Sequence, residues 1–267
     1  MDRLADRNII VTGATGIAAA SARRFTAEGA AVAVVSRTAS SCEALAEELT
    51  AAGAVAHAFS ADLTDIPAAV AAIEGAIAAL GRVDGLFNVA GGSGRRLGDA
   101  PLHELTTEAY EATMRLNATT HVTVSAPVLR AMLAQAPDAD GSRGAIVNMG
   151  SVLATQPVPE LFGTHAYATA KGAVAALTTT TAAYYAADGI RVNMLAPALT
   201  TSRMSQRAAA DEATQAFSRR KQPLAGGFIP AEDVADAAVY LLSPESRAVT
   251  GQTLTIDGGW SVLPIGQ

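Results

Sequence analysis

Tyr167 and Lys171 stand four residues apart in Tyr167-Ala-Thr-Ala-Lys171, and Ser151 precedes the tyrosine by sixteen residues. On a helix, that spacing puts both side chains on one face, one turn apart. A phenol titrates near ~10, which makes it a poor proton donor or acceptor at neutral pH. An ammonium group one turn away favours the phenolate and lowers that value. A tyrosine tuned in this way gives a proton to a carbonyl oxygen or takes one from an alcohol. The pair draws on a scarce residue, because the chain holds two lysines, Lys171 and Lys221, against seventeen arginines. The spacing alone also fits an ordinary Tyr/Lys pair on a helix surface, so the surrounding elements have to decide.

Those elements repeat one plan. Residues 8–12 (NIIVT) are a β-branched run leading into Gly13-Ala-Thr-Gly16, and a helical stretch over 17–28 closes at Gly29. Further strands are expected over 31–35, 55–59, 84–89, 145–149, 190–195 and 253–256. Helices are expected over 40–52, 66–80, 106–135, 165–187 and 231–242. The long helix at 106–135 contains Asn117, and the one at 165–187 carries Tyr167 and Lys171. Several strands are continuously apolar, as strands buried on both faces should be. The alternation predicts an α/β fold, a doubly wound parallel sheet of about seven strands with helices on both faces. A single domain over 1–267 is expected, with a mobile segment over the substrate side at about 198–228.

Composition narrows the function classes. The chain has 267 residues, 50% hydrophobic and 16% charged, which suffices for one large core. Its net charge is −6 and no basic block stands out, which argues against nucleic acid and anionic membrane as partners. No stretch of about 18 apolar residues runs without polar interruption, and the opening MDRLADRNIIVTG lacks the apolar run of a signal peptide. The single cysteine, Cys42, cannot form an internal disulfide, which suits a reducing cytoplasm, and it reads as a small buried or partly buried side chain. No metal-ligand pattern is present.

In this layout the candidate residues fall at the C-terminal ends of strands or on the helices that follow, where open parallel sheets bind ligands. The Gly13–Gly16 turn between a strand and a helix allows a tight bend and the close approach of a pyrophosphate, which a helix N-terminus attracts. A plain strand-to-helix turn is the alternative. Arg37, just past the second strand, stands where a carboxylate would hold a ribose 2′-hydroxyl, and an arginine there suits a 2′-phosphate. A solvated surface arginine fits as well. Asp62, after the third strand, either accepts a hydrogen bond from an adenine amino group or caps a turn. Asn88 is an amide in an apolar strand and needs partners, so it is expected to tie neighbouring strands together.

Residues 8–260 resemble a short-chain dehydrogenase/reductase of the common single-domain Rossmann type. Residues 12–17 (TGATGI) resemble its nucleotide-binding turn and residues 88–91 (NVAG) its Asn-Asn-Ala-Gly motif. Residues 190–193 (IRVN) with Ala196-Pro197, and Thr250-Gly251-Gln252 with Asp257-Gly258-Gly259, match its later strands. Asn117, Ser151, Tyr167 and Lys171 match its catalytic positions. The resemblance implies hydride transfer between a nicotinamide and a carbonyl or secondary alcohol. Tyr167 would be the acid or base, Ser151 a hydrogen-bond donor to the substrate oxygen, and Lys171 the group that binds the nicotinamide ribose and lowers the tyrosine. Asn117 would hold a water linking the lysine to solvent. The implied cofactor contacts are Gly13, Thr15, Gly16, Ile17, Ser36 and Arg37 at the first strands. Asp62, Leu63, Asn88, Ala90 and Gly91 follow, then Tyr167, Lys171, Pro197 and Thr200. NADP(H) is preferred through Arg37, with NAD(H) possible. A homotetramer or homodimer through the long helices is also implied.

The sequence departs from the family in four places. The nucleotide turn is one residue short, with Ala18 or Ala19 in place of the third glycine, a methyl expected to push the helix away from the sheet or pyrophosphate. Val89 replaces the second asparagine of its motif, Ala198 follows Pro197 where glycine is usual, and the stretch between Ser151 and Tyr167 is longer than usual. Substrate walls are expected at 92–96, 153–165 and 198–228, where Arg95, Arg96 and Arg203 either meet an anionic group or face solvent. His165, two before Tyr167, either touches substrate or packs. Two further readings stay open: a cofactor-binding regulatory protein with weak or no catalysis, and reduction of a C=N or C=C bond.

Overall fold

The computed structural model describes residues 2–159, 161–202 and 205–264. Seven parallel strands form one sheet: β1 Asn8–Thr12, β2 Ala31–Ser36, β3 Ala56–Ser60, β4 Gly85–Asn88, β5 Gly144–Met149, β6 Ile190–Pro197 and β7 Thr253–Ile256. Their order is β3-β2-β1-β4-β5-β6-β7, with β1 paired to both β2 and β4. The chain runs outward in one direction from β1 and then returns to build the other half, so the strand order reverses between β1 and β4. A crevice opens at that reversal, beyond the C-terminal ends of the strands.

The period-two alternation of the strands divides the core in two. Ile9, Val11, Val32, Val34, Phe87 and Val147 face α1 Ile17–Ala27, α2 Ala39–Ala51 and α9 Ala231–Leu242. Ile10, Val35, Leu86, Ile146 and Val192 face α3 Ile66–Leu80 and α5 Thr120–Ala134 on the opposite side. Each such side chain contributes roughly 1.5–3 kcal/mol on burial. The abundant alanine has a packing use: Ala20 of α1 meets Ala231 and Ala235 of α9, so the two helices close over one face of the sheet with little between them.

One expected element is divided. The helix anticipated over 106–135 is α4 Thr107–Met114, a π turn Arg115–Thr119 and then α5. The cause is local. Asn117 donates from Nδ2 to the Thr113 carbonyl four residues back, 3.1 Å away, which competes with the backbone ladder and widens the turn. The helix at 165–187 is α6 His165–Tyr185. Within 198–228 lie two helices, α7 Gln206–Ala209 and α8 Glu212–Lys221. No helix among the described residues is long and apolar enough to cross a membrane.

Candidate active site

Asn117, Ser151, Tyr167 and Lys171 meet at the ends of β4 and β5. Ser151 follows β5, and its Oγ accepts from the Leu153 N–H at 3.2 Å. That contact leaves the hydroxyl proton free to be donated. Lys171 is buried, and its Nζ donates to the Met149 carbonyl at 2.8 Å and lies 5.7 Å from the centre of the Tyr167 ring. Asn117 and Lys171 converge on the loop after β4: a Cβ added to Gly91 would stand 2.6 Å from Asn117 Oδ1 and 3.6 Å from Lys171 Nζ. Asn117 holds that loop directly, accepting from Gly92 N at 3.0 Å and donating to Gly92 O at 2.9 Å. The side-chain amide of Asn117 is thus spent on Gly92 and Thr113.

The electrostatics correct one expectation. Lys171 sits one turn from Tyr167 as the spacing requires, yet the phenol is held above its ordinary value, not below it. Burial is the larger cause, and a hydrogen bond with Ser151 pulls it back in part. Burial likewise lowers Lys171 to about 8, because its charged form loses hydration. A lysine this dry has little charge to spare above that pH, and its spacing from the phenol says nothing about how dry the site is.

The dinucleotide candidates lie at the ends of the first strands and are more open. Gly13 adopts φ 107° and Gly16 φ 56°, values that side chains other than glycine's rarely take. A Cβ at Gly13 would stand 2.9 Å from the Ala18 Cβ, so the missing side chain at Gly13 makes room for the methyl that replaces the family's glycine. Ala18 and Ala19 are both buried and α1 stays packed on the sheet, against the expectation that a methyl there would push it off. Gly16 caps α1 with no side-chain hydrogen bond, and the first turn carries no acidic residue. Its N–H groups thus suit an anion. Thr15 and Arg37 are exposed, whereas Ser36 and Ile17 are half-buried.

Asp62 is exposed and its Oδ1 accepts from Thr64 N and Oγ1 at 2.9 and 2.7 Å, which holds it below the usual carboxylate range. Asp62 thus closes a turn with one oxygen; the cap of α3 is Asp65. The Leu63 side chain belongs to the core, so only its backbone can face a ligand. Asn88 is fully buried and ties β4 to β1 by accepting from Thr12 Oγ1 at 3.1 Å, as expected of a strand amide. Ala90 and Gly91 follow it on the open side, Pro197 ends β6, and buried Thr200 bridges to Ile229.

On the substrate side, Leu153, Val158, Leu161 and Phe162 pack on Phe217 of α8 and on Trp260. Arg95 donates to the Leu161 carbonyl at 2.7 Å and lies 6.0 Å from the Phe162 ring, which pins the long loop from the β4 side. Arg96 and His165 are exposed, and Arg203 lies outside the described residues.

Three groups of the site were missed from the sequence. Asp99 is buried, and its two oxygens accept from Ala166 N at 2.9 Å and Tyr167 N at 2.8 Å, capping α6 from 68 residues away. Its only sequence signal is a carboxylate shortly after Arg95-Arg96. Thr12 Oγ1 accepts from Val89 N and Ala90 N at 2.8 and 3.0 Å and so shapes the loop after β4. His121 lies wholly buried one turn beyond Asn117.

This geometry has counterparts among known proteins. Residues 11–261 match a family model described as enoyl-(acyl carrier protein) reductase. The chain is 37% identical to an A-factor type gamma-butyrolactone 1'-reductase (1S-forming) of Streptomyces virginiae, over 97% of each chain. It is also 37% identical to an inactive 2-(S)-hydroxypropyl-CoM dehydrogenase 2 of Xanthobacter autotrophicus, over 91% of this chain and all of that one. A gluconate 5-dehydrogenase of Burkholderia cenocepacia, solved with NADP and tartrate, superposes with a TM-score of 0.88 at 30% identity, covering 98% of this chain and 99% of that one. The chain belongs to the short-chain dehydrogenase/reductase family, and its A-factor type reductase and gluconate 5-dehydrogenase relatives are oxidoreductases acting on alcohols and carbonyls.

Proposed function

We propose that this chain is an NADP(H)-preferring oxidoreductase that interconverts a carbonyl and a secondary alcohol, with Tyr167 as proton donor or acceptor. The observation that carries the reading is the meeting of Ser151, Tyr167, Lys171 and Asn117 at one strand-end crevice, with Asp99 fixing the backbone of the tyrosine. The residues present fit a dinucleotide: glycines in the first turn, free N–H groups at the start of α1, and exposed Arg37 beyond β2. Arg37 would pair with a 2′-phosphate, Thr15, Gly16 and Ile17 would face the pyrophosphate, and Lys171 would face the nicotinamide ribose. A bound nicotinamide would supply or take the hydride.

The chain's own groups do the rest. In reduction, Tyr167 passes its proton to the substrate oxygen while Ser151 donates a hydrogen bond to that oxygen, stabilising the charge that develops there. The positive charge of Lys171 steadies the phenolate that remains until a proton returns. A phenol held above its ordinary value stays loaded at neutral pH, which favours the acid role. The reductive rate is expected to fall as pH rises through about 8, where Lys171 loses its charge. Exposed apolar residues on the long helices, Val122 and Leu133 of α5 and Tyr184 of α6, support a homodimer or homotetramer. A cytoplasmic setting fits the lone cysteine.

The test joins two measurements. Fluorescence titration with NADPH and NADH should show binding, tighter for NADPH. Turnover on a carbonyl panel that includes an enone and a cyclic imine should fall at least ~100-fold in Tyr167→Phe, as expected for loss of a positioned acid. Equal rates for wild type and variant would remove the tyrosine from the chemistry. Binding without turnover would favour the second reading, a cofactor-binding protein without catalysis, which the inactive relative motivates.

A further inference from the structure

The stretches that follow β5 and β6 leave the sheet on the side of the crevice, and their apolar side chains meet there. After β5, Leu153 comes two residues beyond Ser151, and Leu161 and Phe162 lie further along the same stretch. After β6, Leu199 comes two residues beyond Pro197. These four side chains are half-buried, and all pack on a buried cluster that includes Phe217 of α8 and Trp260. Trp260 is the chain's only tryptophan and is 2% exposed. Its ring lies 5.1 Å from that of Phe217, edge-on, and 6.4 Å from that of Phe162. Its backbone is fixed as well. Trp260 N donates to the Asp257 carbonyl at 3.0 Å, and the Asp257 carboxylate accepts from Gly259 N and Ser261 N at 3.0 and 2.9 Å. Separate parts of the chain thus share one rigid backing and leave an apolar surface partly open beside Ser151.

The polar groups around this surface are engaged with the chain itself. Thr200 is buried and donates to the Ala198 carbonyl at 3.2 Å. Ser202 N donates to Ser205 Oγ at 2.9 Å. Gln222 donates to the carbonyls of Leu199 and Gly227 at 3.0 and 2.7 Å. Asp211 accepts from Thr214 N at 2.8 Å as the cap of α8, Asp99 is taken up by α6, and Arg95 is bound to the Leu161 carbonyl. Glu160 lies outside the described residues. A hydroxyl-rich substrate brought against this surface loses water and gains few partners, a loss that grows with each hydroxyl. An apolar group gains instead, by about fourfold in affinity for each methylene it buries.

We propose that the carbonyl substrate is an apolar ketone whose alkyl or aryl group seats on Leu153, Leu161, Phe162 and Leu199, with Trp260 as the positioning residue that sets how deep the group sits. The inference rests on the reading of Ser151 and Tyr167 given above and names the substrate class for that site. Leu153 joins the two parts. Its N–H donates to Ser151 Oγ at 3.2 Å, so the apolar surface begins beside the hydroxyl that meets the substrate oxygen. With the oxygen held there, the carbon chain of the ketone extends along the surface. Trp260 acts on that chain through Phe162 and Phe217, whose rings it contacts.

The test is a series of methyl ketones from 2-butanone to 2-octanone, with 5-keto-D-gluconate as the hydroxyl-rich comparison, on the full chain saturated with NADPH. For the ketones, kcat/KM should rise about fourfold per methylene until the surface is filled. The value for 5-keto-D-gluconate should fall below that for 2-butanone. Leu199→Asn should reduce the rise to less than about twofold per methylene, because a polar amide replaces part of the surface. Trp260→Ala should move the length at which the rise stops to longer ketones, and Trp260→Phe should keep it near the wild-type length. A Trp260→Ala that lowers every ketone alike overturns the role of Trp260. Binding is read without turnover through the emission of Trp260 in the NADP+-loaded protein, where ketone affinity should show the same fourfold steps. Rates and affinities that do not rise with length, or a preference for 5-keto-D-gluconate, overturn the proposed substrate class and leave the carbonyl chemistry standing. Graded binding with no ketone reduced refutes the proposed activity and leaves the apolar site standing. If Trp260→Ala does not fold, Leu199→Asn decides between a surface that reads chain length and one that does not.

Discussion

At the ends of β4, β5 and β6 the chain's own groups hold one another. Asp99 caps Tyr167, Asn117 clamps Gly92, and Lys171 reaches Met149, with Asp99, Asn117 and Lys171 all buried. At the ends of β1, β2 and β3 the arrangement is looser. Thr15, Arg37 and Asp62 are exposed, and Arg37 joins no salt bridge among the described residues. The first region is organised before any ligand arrives, as groups that must meet a developing charge should be. The second offers mainly backbone N–H groups and one free cation, so its selectivity depends on what the ligand brings. Mutations should therefore act on stability and chemistry at the first end, and on ligand affinity at the second.

Lys171→Met should give the largest effect. Carbonyl turnover should fall at least ~100-fold while the fold becomes more stable. Unfolded lysine titrates near 10.5 and the folded residue at about 8, so the wild type bears the full penalty of a buried charge below about 8. Between those values the unfolded chain binds more protons, and wild-type stability rises with pH. The penalty is about 3 kcal/mol, and losing the bond to Met149 offsets about 1 kcal/mol of the gain. Denaturant unfolding at pH 7 should show the variant about 2 kcal/mol more stable, with the difference shrinking towards pH 10. A destabilised variant would mean that the lysine is a structural anchor.

Asp99→Ala should move stability the other way. It leaves one buried and one partly buried N–H group at the start of α6 without their acceptor, a loss of about 2–3 kcal/mol by denaturant unfolding. It should also lower kcat, since Tyr167 is one of the two residues released. Asp99→Asn, keeping one acceptor, should recover part of both. The matching change at the other end, Asp62→Ala, should cost less than about 1 kcal/mol, because that carboxylate is exposed and closes only a local turn. Equal losses for the two aspartates would erase the contrast between the regions.

The sequence made the fold legible because alternating apolar runs and helix stops are local signals, and all seven strands begin within one residue of where those signals place them. Tyr167 and Lys171 were legible because a four-residue spacing survives any tertiary context that keeps the helix. What was not legible depends on distant partners. The π turn arises when Asn117 turns its amide to Thr113 and to Gly92, which is 25 residues away in sequence. Asp99 acts 68 residues from Tyr167, and no spacing rule links them. The upward shift of the phenol comes from burial, which the Tyr/Lys spacing does not encode. Ala18 misled for a related reason: its methyl is accommodated by the empty side-chain space of Gly13, a contact that only the folded turn creates.

Arg37→Ala offers the finest test, because it touches the looser end alone. The side chain is exposed, so its removal should leave unfolding stability within about 0.5 kcal/mol. A charge-assisted contact to a 2′-phosphate is worth roughly 1.5–3 kcal/mol where water is partly excluded, and less where it is not. NADPH affinity should therefore weaken about tenfold, with NADH affinity unchanged, measured by fluorescence titration of each cofactor. Raising the salt concentration should narrow the gap between wild type and variant for NADPH, because an exposed ion contact is screened. If both cofactors weaken alike, Arg37 supports the turn after β2 and does not read the phosphate. The preference for NADP(H) would then have to come from Thr15, Ser36 or the backbone of the first turn.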